Sequence, residues 1–147
     1  MSLPSGFRLC IETNPAAGDR HFLDEQLGAY NAAFLADNRF EYFGIFIRDE
    51  ADAIRAGLIG YLYAGWLYIA LLWVHDDHRR VGMGTALIGE AERRAIAFGC
   101  HSSFVDTFSF QAPDFYPRFG YEVFGVFDYP PDHKRLFFKK RLNAEEV

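Results

Sequence analysis

Residues 66–98 read WLYIALLWV, HDDHRRVGMGT, ALIGEAERRAIAF. The first run, Trp66 to His75, is almost wholly apolar and rich in bulky side chains, as a buried strand requires. Beyond the polar interruption, Met83, Leu87, Ala91, Ala95 and Phe98 recur at helical spacing and form an apolar stripe. Glu90 and Arg94 stand four residues apart on another face of that helix, and Gly99 closes it. A new strand-like run follows, Ser102 to Phe108 (SSFVDTF). Strand, helix and strand over 66–108 is too long a connection for a hairpin and fits a crossover to a parallel strand.

Upstream, Glu41 to Arg48, Ala53 to Tyr63 and Trp66 to His75 read as an antiparallel meander, turned at 48–52 and at Ala64-Gly65. Before it, Phe7 to Thr13 alternates like a strand and ends at Asn14-Pro15. From Asp19 the period changes, with Leu23, Leu27, Tyr30 and Phe34 on one helical face and Asp24 and Glu25 near the start. Downstream, 112–119 reads as a short helix, Tyr121 to Phe127 as a strand, and Lys134 to Leu142 as a last edge strand after the turn at Pro130-Pro131-Asp132. The fold class is α/β (α+β), a mixed and mostly antiparallel sheet of about seven strands flanked by helices. No internal repeat or low-complexity linker interrupts it.

The chain has 147 residues, of which 50% are hydrophobic and 24% charged, so one domain over 1–147 is expected to bury roughly 70% of its unfolded surface. Disordered, collagen-like and disulfide-scaffold classes are excluded. Aromatic side chains make up 18% of the chain, enough for some rings to line a groove as well as fill the core. The net charge of −5 argues against nucleic acid as a partner, because displacing counterions from phosphates needs a broad basic surface. The basic clusters are local, Arg79-Arg80 and Lys139-Lys140-Arg141, and the latter reads as a solvated surface. Cys10 and Cys100 have no metal-site or disulfide-framework spacing, so a reducing, cytoplasmic setting is expected. No apolar run is long enough to span a bilayer, and Met1-Ser2-Leu3-Pro4 is not followed by a signal-peptide core, so no membrane partner is expected.

The chemistry concentrates in His75 to Thr85. Gly82 and Gly84, directly before a strong helix, let successive backbone N–H groups converge on an anion at the positive end of the helix dipole. Phosphate or pyrophosphate is the expected ligand. A dinucleotide fingerprint needs glycine at 87, where Leu87 stands, and a nucleoside-triphosphate loop needs a Gly-Lys-Ser/Thr ending, which is absent. A helix entry with no ligand is the bland alternative.

Arg79-Arg80-Val81-Gly82-Met83-Gly84 matches Q/R-x-x-G-x-G/A, the hallmark of the GNAT superfamily of acyl-CoA-dependent N-acetyltransferases, and Phe115-Tyr116-Pro117-Arg118-Phe119-Gly120-Tyr121 matches its second signature. The chain resembles that family over most of its length. The resemblance implies a sheet splayed between its fourth and fifth strands and acetyl-CoA as acyl donor, with no metal. Backbone groups of Leu72, Trp73 and Val74 would hold the pantetheine arm. Arg79, Arg80, Val81, Gly82, Met83, Gly84 and Thr85 would form the pyrophosphate loop. Tyr116 matches the tyrosine that protonates the departing thiolate in many members. Two positions depart from the common pattern. Arg80 replaces a frequent glycine, and Ser109 stands where many members place an asparagine that bonds the pantetheine. His75 is read as a strand-exit residue rather than a base.

Acetyl transfer to an amine needs a neutral nucleophile, and an alkylamine with pKa near ~10.4 is mostly protonated at neutral pH. The family often recruits a carboxylate on one of the splayed strands. The strand 66–75 has none, which leaves Asp106 as the candidate base and Glu41 as second choice. A backbone N–H of 72–74 would stabilise the carbonyl oxygen of the thioester. Glu41, Tyr42, Phe110, Asp114 and Tyr129 are candidate walls for a small-molecule or peptide amine acceptor. A homodimer stays open. The rival from another class is a non-catalytic acyl-CoA sensor that kept the loop and lost turnover.

Overall fold

The computed structural model describes residues 2–142. They divide into two compact units, one up to Ala36 and one from Asp37 onward. In the first unit, α1 (Ala17–Asn31) carries the surface pairs Arg20–Asp24 and His21–Glu25 one turn apart. The alternating run Phe7 to Thr13 is irregular rather than a strand. Alternation provides two faces, but a strand also needs a ladder, and among the described residues this run pairs with nothing.

In the second unit, β1 (Phe40–Arg48), β2 (Ile54–Tyr63), β3 (Trp66–Val74), β4 (Ser102–Phe108), β5 (Glu122–Tyr129) and β6 (His133–Arg141) build one sheet in the order β1-β2-β3-β4-β6-β5, with the helix α2 (Met83–Phe98) between β3 and β4. The first three strands form the expected antiparallel meander, and α2 carries the chain over to β4, parallel to β3. Among the described residues six strands are present where the sequence indicates about seven, because Phe7 to Thr13 forms none.

One face of the sheet is the core. Leu87, Ile88, Ala91 and Ala95 of α2 and Leu58, Leu62, Leu67, Ile69, Val105 and Phe138 of the strands are all buried. A fully buried leucine or phenylalanine contributes about 1.5–3 kcal/mol, so this layer dominates the stability of the unit. The opposite face carries a row of rings, Tyr42, Tyr61, Tyr68 and Phe104, with neighbouring centroids 4.6–6.1 Å apart.

Three expectations are corrected. Lys134 to Leu142 is not an edge strand: β6 lies between β4 and β5, and β5 is the edge. Two of its charges are neutralised, Arg135 by Asp106 of β4 and Lys140 by Glu92 of α2. Arg94 does not pair with Glu90 along the helix. It reaches Glu41 on β1, while Glu90 pairs with Arg93. Of the short helix expected over 112–119, only Tyr116–Phe119 is helical, as a single tight turn whose second residue is Pro117.

Candidate active site

The parallel pairing of β3 with β4 runs only from Trp66–Ile69 against Ser102–Val105. Beyond it β3 continues to Val74 beside β2, β4 continues to Phe108 beside β6, and the two strands part. A bulge marks the start of the parting. Leu71 pairs with Ile59 and Ile69 with Gly60, so Ala70 is the extra residue. The insertion reverses the alternation: Leu67 and Ile69 face the core before it, Leu72 and Val74 pack against the core after it, and Leu71 and Trp73 turn outward.

The same parity sets the backbone. His75 N–H donates to the Arg55 carbonyl on β2 at 2.8 Å, so the polar groups of Leu72 and Val74 point to the open side. Arg79 Nε donates to the Val74 carbonyl there at 3.2 Å. The N–H and C=O of Leu72 and the N–H of Val74 line the gap without a ladder partner.

The turn after β3 is self-braced. His75 Nδ1 accepts the Asp77 N–H at 3.1 Å, consistent with a strand-exit role, and the Arg79 guanidinium lies 2.9 Å from Asp76. Arg79 is thus committed to shaping the loop. Arg80 has φ +66°, a left-handed conformation that explains why glycine is common there in proteins with this motif. Gly82, at φ +89°, caps α2 with no side-chain bond, so the N–H groups of Met83, Gly84 and Thr85 have no partner within the helix. Gly84 has a different reason to be glycine. A Cβ there would stand 2.9 Å from the Phe115 ring, so its absence lets the second motif pack on the first.

Next to Phe115, the Tyr116 ring is buried against Phe115, Tyr121 and Phe138. Burial first, and the nearby negative charge of Asp106 second, push its hydroxyl up to about 12. Tyr121 lies behind it, its hydroxyl 2.9 Å from Ser103 Oγ and 3.2 Å from Glu92 Oε1, and Glu92 is bridged by Lys140 Nζ at 2.8 Å and 3.0 Å. This network is a buried brace for the tyrosine.

Asp106 is the first β4 residue past the last β3 pair, on the ring-bearing face of the sheet. Its Oδ2 accepts Arg135 Nε at 2.7 Å, and its Oδ1 accepts the Tyr68 hydroxyl at 3.3 Å. Arg135 lies against the rings of Phe108 and Phe137 and 3.5 Å from the Tyr129 hydroxyl. Phe110 and Tyr129 both contact Phe108 beside this cluster. Tyr42 belongs to the row of rings. Glu41 does not join them: its ion pair with Arg94 of α2 holds it on the core-facing side. Asp114 is exposed in the loop before Phe115. Ser109 Oγ accepts the Lys134 N–H at 3.0 Å, which leaves its hydroxyl proton to offer.

Tyr68 and Arg135 were not singled out by sequence. The only signal was the alternation that puts Tyr68 beside Trp66 and Arg135 beside Phe137, and alternation does not identify the partner strand.

The Acetyltransferase (GNAT) family model matches residues 7–121. This chain belongs to the GNAT acetyltransferase family. Among its GNAT relatives is the blasticidin-S acetyltransferase of Streptomyces morookaense, 42% identical over 93 residues, covering 62% of this chain and 68% of that protein. An acetyltransferase from Bacillus cereus has the same fold with a TM-score of 0.75, at 33% identity over 90% of this chain and 98% of the other. A Bacillus anthracis acetyltransferase solved in complex with acetyl coenzyme A shares the fold more distantly, with a TM-score of 0.60 and 16% identity over 68% of this chain and 62% of that one. The GNAT sheet is open where β3 and β4 part, and its two signature motifs touch there through Gly84 and Phe115.

Proposed function

We propose that this GNAT protein transfers the acetyl group of acetyl-CoA to the primary amine of a small molecule or peptide, directly, within a ternary complex. The observation that carries this reading is the gap itself. One border is the open β3 edge running into an uncapped helix N-terminus, and the other bears a carboxylate, Asp106.

The residues fit the acyl donor. Leu72 and Val74 offer an open backbone edge for the amides of the pantetheine arm, and the N–H groups at Met83–Thr85, with Arg80 nearby, suit its pyrophosphate. Trp73, whose backbone groups face Gly57 of β2, offers the arm none of the bonds expected of it, while Ser109 keeps a hydroxyl proton to offer. Acetyl-CoA supplies a thioester, an activated acyl group with a thiolate as its leaving group.

The amine attacks from the side of Asp106 in its minority neutral form. As the C–N bond forms and the C–S bond breaks, Asp106 takes up the proton the nitrogen loses, directly or through water, and passes it to solvent. Tyr116 donates a hydrogen bond to the departing sulfur. With its hydroxyl pushed up to about 12, against ~8.5 for a thiol, complete proton transfer to the thiolate is uphill. Tyr116 therefore stabilises the developing negative charge, and the thiolate takes its final proton from water.

The blasticidin-S acetyltransferase is named for blasticidin S as its acceptor, which supports a small-molecule acceptor here. The test is a panel of spermidine, amino acids, an aminoglycoside, blasticidin S and a peptide N-terminus, with acetyl-CoA, followed by release of free thiol. Turnover of one or more amines is the expected result. Binding of acetyl-CoA by calorimetry without acetylation of any amine favours the sensor reading, and binding of NADH in preference to CoA removes both.

A further inference from the structure

Tyr68 is a β3 residue of the closed part of the sheet whose side chain reaches across to the mouth of the gap. Its ring is clamped, stacked on Phe104 with centroids 4.6 Å and planes 13° apart, and on Tyr61 at 6.1 Å and 19°. The clamp aims the hydroxyl at Asp106 Oδ1, 3.3 Å away. Asp106 is itself held by Arg135 through its other oxygen. The phenolic proton is thereby committed to the carboxylate. The oxygen keeps its lone pairs, so toward the gap Tyr68 is a hydrogen-bond acceptor and not a donor. Burial and the Asp106 charge raise its pKa, so it stays in this neutral form.

A neutral primary amine has two N–H bonds. One proton leaves during acyl transfer, and the other survives in the product amide. A secondary amine has a single N–H, the one that leaves. We propose that the Tyr68 hydroxyl holds the N–H that the acceptor keeps, and so restricts acceptors of this GNAT site to primary amines. The inference rests on the acetyl-transfer reading above. An interaction present before, during and after transfer is uniform binding, so its loss appears in KM rather than kcat.

The test compares the panel amine of highest kcat/KM with its N-methyl derivative, in the wild type and in Tyr68→Phe, which keeps the clamped ring. The wild type should prefer the primary amine by about tenfold or more, because a site built to bond a polar group rejects the analogue lacking it. In Tyr68→Phe, KM for the primary amine should rise about tenfold with kcat within about threefold, and the preference should shrink to about threefold or less. The dissociation constant of CoA should not change. A wild type that acetylates both amines equally overturns the proposal without any variant, and so does an undiminished preference in Tyr68→Phe. A fall in kcat at constant KM also overturns it, in favour of a direct proton-transfer role. A wild type that acetylates no amine overturns the acetyl-transfer reading itself.

Discussion

Two acid–base pairs lie on opposite faces of β6. Lys140 points to the core side and meets Glu92 of α2, while Arg135, five residues earlier and of opposite parity, points to the other side and meets Asp106 of β4. The first pair is closed, with side chains 11% and 5% exposed and Tyr121 and Ser103 completing the bonds. The second is half open, at 31% and 16%, and stands where β3 and β4 part. The same charge chemistry thus serves two ends. A sealed pair fixes the position of the strand and of the edge-to-face contact between Tyr121 and Tyr116, whereas a pair at a gap leaves its carboxylate partly open to solvent.

The largest expected effect tests the sealed side. Lys140→Met leaves Glu92 buried without its cation, and should cost about 3–5 kcal/mol of unfolding free energy in a denaturant titration. Adding Glu92→Met should recover most of that loss, since two apolar side chains replace a matched pair. A single variant as stable as the wild type would show that the network braces nothing.

On the open side, Asp106→Asn should lower kcat/KM for the acceptor by roughly 100- to 1,000-fold, in the lower part of the range for acid–base groups. It should cost only about 1 kcal/mol or less in stability, because water can solvate the released Arg135. Losing stability as Lys140→Met does, with activity per folded molecule intact, would erase the distinction between the two pairs.

Tyr116 stands between the two regions, braced by the first and charged upon by the second. Tyr116→Phe should reduce turnover by roughly 10- to 100-fold, below the range for full acid–base groups because no complete proton transfer is lost, with CoA affinity little changed. The pH profile gives the sign. The rate should rise with pH as the amine deprotonates, and with Tyr116 held up at about 12 only about 1% of it is ionised at pH 10, so no falling limb from this residue should appear by then. The raised value also links to stability. The contribution of Tyr116 is complete below pH 10, its unfolded value, and is lost as pH climbs toward 12. Alkaline melts of Tyr116→Phe should therefore fall less steeply over that interval than those of the wild type.

The smallest effect separates the loop before α2, proposed to hold phosphate, from both pairs. Gly82→Ala adds a Cβ at φ +89°, where nothing lies within 4 Å, so conformation and not collision is its cost. Stability should drop by about 1–2 kcal/mol, and CoA should bind about tenfold more weakly, equivalent to ~1.4 kcal/mol. Unchanged affinity in calorimetry would detach the loop from the phosphate.

What was legible in the sequence was local. The stripe Met83 to Phe98 and the run Ser102 to Phe108 coincide with α2 and β4, because a helix and a short strand announce themselves through the spacing of side chains along one segment. The two motifs around Gly82-Gly84 and Phe115-Tyr116 could be found and assigned in the same way, and Gly84 turns out to be the point at which they touch. Asp106, singled out because the neighbouring strand carries no acid, stands where β3 and β4 part.

Only the tertiary structure decided which strands neighbour one another, and with that which charges meet. The sequence of β6 reads as an exposed rim until β4 and β5 are placed on its two sides and Asp106 and Glu92 neutralise its cations. Tyr68 looks like one more aromatic of a buried strand until the bulge at Ala70 opens the sheet beside it and Asp106, 38 positions away, accepts its hydroxyl. Spacing along a chain fixes which face a side chain takes. Across a sheet, register and pairing fix what stands opposite, and those depend on the packing of the whole layer.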